Sequence, residues 1–75
     1  PQVLLNVRLA PGQDWKSNRL LADTTQAVER DLGASGRVLI RASGTEPLLR
    51  VMVEAQDAQM ASSCAQRLAD AARAG

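Results

Sequence analysis

Two short runs do most to limit what this chain can become. They are Arg37-Val-Leu-Ile-Arg-Ala42 and Leu48-Leu-Arg-Val-Met-Val-Glu-Ala55, joined through Ser43-Gly-Thr-Glu-Pro47. Val38 and Ile40 alternate with Leu39 and Arg41; Leu49, Val51 and Val53 alternate with Arg50 and Met52. An apolar period of two marks a half-buried strand, and two such runs around a Gly- and Pro-containing turn read as a hairpin. A four-residue loop, Ser43 to Glu46, sets Ala42 against Pro47, Arg41 against Leu48, Ile40 against Leu49 and Leu39 against Arg50. Val38, Ile40, Leu49, Val51 and Val53 then share one face; Leu39, Arg41, Leu48, Arg50 and Met52 share the other. Slipping one strand by a single residue would bury Arg50 among valines. In this register Arg41 and Arg50 are diagonal neighbours, about 7–8 Å apart at the backbone.

The rest of the chain supplies a cover for that hairpin. Val3, Leu5, Val7 and Leu9 alternate as a further strand, which Ala10-Pro-Gly-Gln-Asp14 breaks with turn residues. Ser17 or Asn18 can cap a helix reaching about Leu32, with Leu21, Thr24, Val28 and Leu32 on one stripe. Gly33 suits the position just past its end. Asp57 can cap a second helix running to about Ala72 or Arg73, its buried stripe being Met60, Cys64, Leu68 and Ala71. The order is β-α-β-β-α. Strands with one apolar face and two amphipathic helices predict an α+β two-layer sandwich, a mainly antiparallel sheet covered on one face. The hairpin's second strand is expected between its first strand and the N-terminal one.

Seventy-five residues make one small domain, near the lower limit for a self-sufficient core. The chain opens on Pro1 without Met, which suggests a piece of a longer protein. The apolar runs are only a few residues long, too short for a membrane-spanning helix. Without His and with Cys64 alone, neither a Cys/His zinc site nor a Ser-His-Asp or Cys-His catalytic unit can be assembled. A lone cysteine also forms no internal disulfide, which favours a reducing, cytoplasmic setting. Cys64 and Met60 read as core, Trp15 as a loop anchor, and Arg8 and Arg37 as solvated charges. No Phe or Tyr is present to stack bases on a sheet, so nucleic acid is not an expected partner.

Net charge is only +1 overall, but residues 37–50 carry Arg37, Arg41 and Arg50 against Glu46 alone. That positive excess sits at the hairpin loop. Arginine forks make charge-assisted, bidentate hydrogen bonds to phosphate oxygens. Ser43 and Thr45 add hydroxyl donors. Gly44 is expected to turn through φ > 0 and bring N–H groups to an anion. Pro47 has no N–H, so backbone donors must come from residues 43–46. Glu46 is repulsive to a bound phosphate unless it turns outward, pairs with an arginine or faces a ligand hydroxyl or ammonium. These residue types are also ordinary turn formers, and a plain hairpin stays open on composition alone. The mixed face of Leu39, Leu48, Met52 and the arginines is too apolar to be fully wet, and is expected to border another domain.

The wording of the run from Gly36 to Glu54 resembles the phosphate-binding signature of the α-D-phosphohexomutases. Its Arg50-Val-Met-Val-Glu54 ending, with Pro1-Gln-Val-Leu-Leu-Asn-Val-Arg8, is most similar to the bacterial amino-sugar branch of that superfamily. The resemblance implies the fourth, C-terminal domain of a larger enzyme, with a TATA-binding-protein-like fold over residues 1–75. It implies an isomerase that interconverts glucosamine 6-phosphate and glucosamine 1-phosphate through a bisphosphorylated intermediate. Family roles in holding the substrate's non-reacting phosphate carry over to Arg41, Ser43, Gly44, Thr45 and Arg50. The catalytic phosphoserine and the Mg²⁺-binding aspartates belong to the other domains, so catalytic and metal residues are expected to lie outside this chain. The expected partners are a phosphosugar and those domains, with neither nucleic acid nor membrane. The same domain of a phosphomannomutase or phosphoglucomutase, or a non-catalytic interaction module, are the alternatives.

Overall fold

A computed structural model describes residues 1–44 and 46–74 of the chain. Strand β1 (Gln2–Arg8) leads through one 3-10 turn (Trp15–Ser17) into helix α1 (Arg19–Leu32). A second 3-10 turn (Gly33–Ser35) is followed by β2 (Arg37–Ala42), β3 (Leu48–Glu54) and α2 (Ala58–Ala74). The sheet order is β1-β3-β2, antiparallel throughout. The α+β sandwich and the central place of β3 are as the apolar pattern predicts.

The helix boundaries follow from local chemistry. Asn18 Oδ1 accepts the Leu21 N–H at 3.0 Å, and Asp57 Oδ1 accepts the Met60 N–H at 2.7 Å, so each helix begins on a side-chain cap. At the far end of α1 the chain turns at Gly33 with φ 60 and ψ −143, a conformation that residues with a Cβ rarely adopt. Gly36 is needed for a different reason. A Cβ there would collide with the Glu54 carbonyl oxygen, so the entry to β2 can lie against the end of β3 only without a side chain.

Val7 of β1 and Leu49, Val51 and Val53 of β3 are wholly buried beneath α2. That helix offers Ala61, Ala65, Ala69 and Ala72 beside Cys64 and Leu68, small side chains that let it lie close to the sheet. Thiol and thioether therefore serve as core, Met60 from a half-buried position. Leu21, Val28 and Leu32 anchor α1 to the same cluster, with Thr24 half-buried beside them. On edge strand β2 the cover thins, and Val38 and Ile40 are only half-buried. Trp15 packs against the core from its 3-10 turn and borders a shallow cleft with Leu21, Thr25, Val38 and Ile40.

The connection from β1 to α1 is pinned to the end of α2. Asn18 Nδ2 donates to the Ala71 carbonyl at 3.0 Å, and Gln13 Nε2 to the Ala72 carbonyl at 3.0 Å. Carbonyls in the last turn of a helix have no partner within it, and these two buried-side contacts satisfy them. Asn18 is itself buried, at 7% exposure, with both ends of its amide bonded. An exposed Arg67–Asp31 pair at 2.9 Å adds a further tie between the helices, its hydrogen bond holding the Arg67 guanidinium above its ordinary pKa.

The hairpin register differs from the expected one by two residues. Arg41 lies directly opposite Arg50, Ala42 opposite Leu49 and Leu39 opposite Met52. The Ser43 N–H donates to the Leu48 carbonyl at 2.9 Å, and the Leu48 N–H donates to the Glu46 carbonyl at 2.7 Å. The second bond closes a three-residue turn around Pro47, whose fixed φ suits that geometry. Pro47 is thus inside the loop, which runs over residues 44–47 rather than 43–46. An even shift leaves every side chain on its expected face, and the buried and open faces sort as predicted.

Candidate functional site

The helices leave one face of the sheet open. Gln2, Leu4, Asn6 and Arg8 from β1 meet Glu54, Met52, Arg50 and Leu48 from β3, in that order, and Arg37, Leu39 and Arg41 from β2 complete the rows. Leu4 and Leu39 are 58% and 43% exposed, forming with half-buried Met52 an apolar row across this face. On the side toward the loop lies the row Asn6, Arg50, Arg41.

Arg41 and Arg50 are both exposed and project from the same face. They form a hydrogen-bonded pair, for which the Cα separation is about 5.5 Å, closer than the diagonal placement expected from sequence. Like charges directly opposite each other destabilise a sheet. Neither has a carboxylate within ion-pairing distance among the described residues, whose pairs are Arg37–Glu54, Arg67–Asp31 and Arg73–Asp70. Glu46 is exposed and forms no ion pair among those residues either, which leaves the outward orientation or the ligand-facing one.

The loop completes the arrangement with fewer amides than expected. The Ser43 N–H is spent on the hairpin, so it is not available to an anion, although its half-buried side chain stands at the loop's entry. Gly44 and Glu46 have no backbone acceptor for their N–H groups among the described residues. Gly44 does not have positive φ; among the described residues only Gly12 and Gly33 do. With Pro47 making the reversal, the loop has no need of a left-handed residue at 44. What Gly44 contributes is open space, since nothing lies within 4 Å of where its Cβ would be. Thr45, the remaining expected phosphate contact, lies outside the described residues. Two arginines paired on one face, amides at Gly44 and Glu46 with no backbone acceptor among the described residues, and an unobstructed approach at Gly44 are together suited to a compact, multiply charged anion.

Among the described residues no three Asp, Glu, His or Cys side chains gather closely enough to hold a metal ion. No described helix is long and apolar enough to cross a membrane.

This fold, with its basic hairpin tip, places the chain among the C-terminal domains of the sugar-phosphate mutases. The chain belongs to the family described as phosphoglucomutase/phosphomannomutase, C-terminal domain, whose sequence model matches residues 4–71. It is 84% identical over all 75 residues to the phosphoglucosamine mutase of Verminephrobacter eiseniae (strain EF01-2), and covers 16% of that protein. It is 73% identical over the same span to the phosphoglucosamine mutase of Acidovorax sp. (strain JS42), covering 17% of it. The chain thus spans about a sixth of the length of these relatives. Among solved structures it is similar to Aspergillus fumigatus N-acetylphosphoglucosamine mutase in complex with GlcNAc-6P and magnesium. That match has a TM-score of 0.78 and 28% identity, over 97% of this chain and 16% of that one. A complex of the same fungal enzyme with glucose 1,6-bisphosphate matches with a TM-score of 0.79 and 30% identity, over 99% of this chain and 15% of the other.

Proposed function

We propose that this chain is the C-terminal phosphate-binding domain of a multidomain phosphoglucosamine mutase, and that Arg41, Ser43, Gly44, Thr45 and Arg50 hold the substrate's non-reacting phosphate. The observation that carries the reading is the Arg41–Arg50 pair, two like charges placed face to face beside a loop whose Gly44 and Glu46 amides have no backbone acceptor among the described residues. Such a pair costs stability in the empty domain and is compensated when a dianion sits between its arms. The amino-sugar branch is favoured over phosphomannomutase or phosphoglucomutase by the identities to two bacterial phosphoglucosamine mutases. The parent interconverts glucosamine 6-phosphate and glucosamine 1-phosphate, in the cytoplasm, with Mg²⁺ held by its other domains. The isolated chain has no mutase activity, because phosphoserine and metal ligands reside elsewhere in the parent.

In this reading the domain contributes positioning. Phosphoryl transfer needs its reacting oxygens aligned, and fixing the distant phosphate orients the sugar for the group that reacts. Each charge-assisted hydrogen bond contributes roughly 1.5–3 kcal/mol, offset by several kcal/mol for immobilising the ligand. The domain alone then binds with a Kd on the order of 1 mM, about −4 kcal/mol. The open apolar row of Leu4, Met52 and Leu39 borders another domain of the same polypeptide, its exposure in the separate chain being the feature that supports this. Titrating the ¹⁵N-labelled chain with glucosamine 6-phosphate tests the site. The reading expects amide shifts confined to residues 41–50 and lost in Arg41→Ala. Silence at several millimolar would count against it.

A further inference from the structure

We infer that Arg8 is a third cationic limb of the same site, approaching the phosphate from β1; the inference rests on the reading of the hairpin tip given above. From its position in the sequence Arg8 reads as a solvated charge at the end of a strand. The structure puts it in a specific place. It pairs directly with Leu48, the first residue after the loop, and shares the open face with Arg50, its diagonal neighbour about 7–8 Å away. The next residue, Leu9, is buried and donates its N–H to the Pro47 carbonyl at 2.7 Å. This bond fastens the end of β1 to the loop itself, so Arg8 is held beside the tip by the backbone rather than by a mobile connection.

The charges on this face divide in a way that isolates Arg8 with the tip. Glu54 stands on the far side of the face and pairs with Arg37 at 3.4 Å. Arg8 has no carboxylate within ion-pairing distance among the described residues, and the same holds for Arg41 and Arg50. Asn6, directly opposite Arg50, is neutral and places no charge between the arginines of β1 and β3. Three guanidinium groups therefore border one patch from three adjacent strands. Neighbouring strands lie about 4.8 Å apart, so Arg8 and Arg41 flank Arg50 across roughly two strand spacings. Long arginine side chains can close that gap on a single phosphate group. Its terminal oxygens offer more acceptor sites than Arg41 and Arg50 fill, and Arg8 engages the side of the group facing β1.

The test follows the arginine Nε–Hε signals of the ¹⁵N-labelled chain during titration with glucosamine 6-phosphate and, separately, with inorganic phosphate. The Arg8 signal is expected to shift along the same saturation curve as those of Arg41 and Arg50. Arg8→Gln is expected to weaken binding about tenfold without lowering Tm, and Arg8→Lys to recover part of the loss, since an ammonium keeps the charge but not the fork. If Arg41 and Arg50 respond while Arg8 stays silent and Arg8→Gln binds as the parent chain does, Arg8 is a bystander and the inference fails alone. If Arg41 and Arg50 are silent too, the phosphate site itself is wrong and Arg8 falls with it.

Discussion

The two ends of the β2–β3 ribbon carry the same kind of cross-strand pair with opposite charge logic. At the base, Arg37 faces Glu54 and the two approach to 3.4 Å. At the tip, Arg41 faces Arg50. Both pairs lie on the open face of the sheet and alternate with buried Leu49, Val51 and Val53 along β3 and with half-buried Val38 and Ile40 along β2. The base is what a sheet does when only stability matters: opposite charges directly across from each other contribute a few tenths to 1 kcal/mol. The tip places two positive charges where one acid would serve the fold better. A local loss of this kind has a reason when a ligand supplies the missing negative charge, which is what the proposed phosphate site at the tip would do.

Changing the tip into a second base gives the largest expected effect. In the full-length enzyme, Arg50→Glu places an opposite charge across from Arg41 and is expected to lower kcat/KM by about 1,000-fold, ~4 kcal/mol, through lost hydrogen bonds and added repulsion. In the 75-residue chain the same change should raise stability by about 0.5 kcal/mol. Denaturant melts and steady-state kinetics check both signs, and a loss of stability together with intact activity would reverse the interpretation. Removing one cation without adding an acid is the milder perturbation. Arg41→Ala in the enzyme should cost about 100-fold in kcat/KM, ~2.7 kcal/mol, expressed largely in KM.

The same comparison has a thermal form. Anion bound between Arg41 and Arg50 stabilises the folded chain, so phosphosugar at about twenty times its Kd should add about 2 kcal/mol and raise Tm by roughly 10 °C. The Arg41→Ala chain, measured in the same buffer, should move only slightly. The smallest effect belongs to the base. Both partners of the Arg37–Glu54 pair are largely exposed, so Arg37→Ala should change stability by less than about 1 kcal/mol and leave phosphosugar titrations as they were. A marked loss of binding in Arg37→Ala would erase the distinction between the two ends.

How the tip was readable from sequence depends on which property is asked. Alternation along Val38–Ile40 and Leu49–Val51–Val53 assigns each residue to a face, and it placed Arg41 and Arg50 together. Alternation is blind to a shift of two, because such a shift moves no side chain to the other face. The register instead goes with a tight turn centred on Pro47 and closed by the Leu48 N–H on the Glu46 carbonyl, which draws Pro47 into the loop and leaves the arginines directly opposite. Turn chemistry also explains Gly44, where a left-handed residue was expected and Pro47 removed the need for one. A cap at Ser17 or Asn18 was legible from their place before an amphipathic run, and it is Asn18 that fills the role. Its second bond, to Ala71, spans 53 residues and has no local signature. The placement of Arg8 was missed for the same reason, since its tie to the loop runs through the Leu9–Pro47 bond between distant segments.

Whether Arg41 and Arg50 grip one anion together is tested most directly by a double-mutant cycle in the full-length enzyme. Arg41→Gln, Arg50→Gln and the double variant are compared by kcat/KM for glucosamine 6-phosphate. Shared contact with a single phosphate predicts non-additivity of at least about 1 kcal/mol, whereas independent roles predict single effects that add to within about 0.5 kcal/mol. Additive losses, or a double variant with unchanged kcat/KM, would contradict the account.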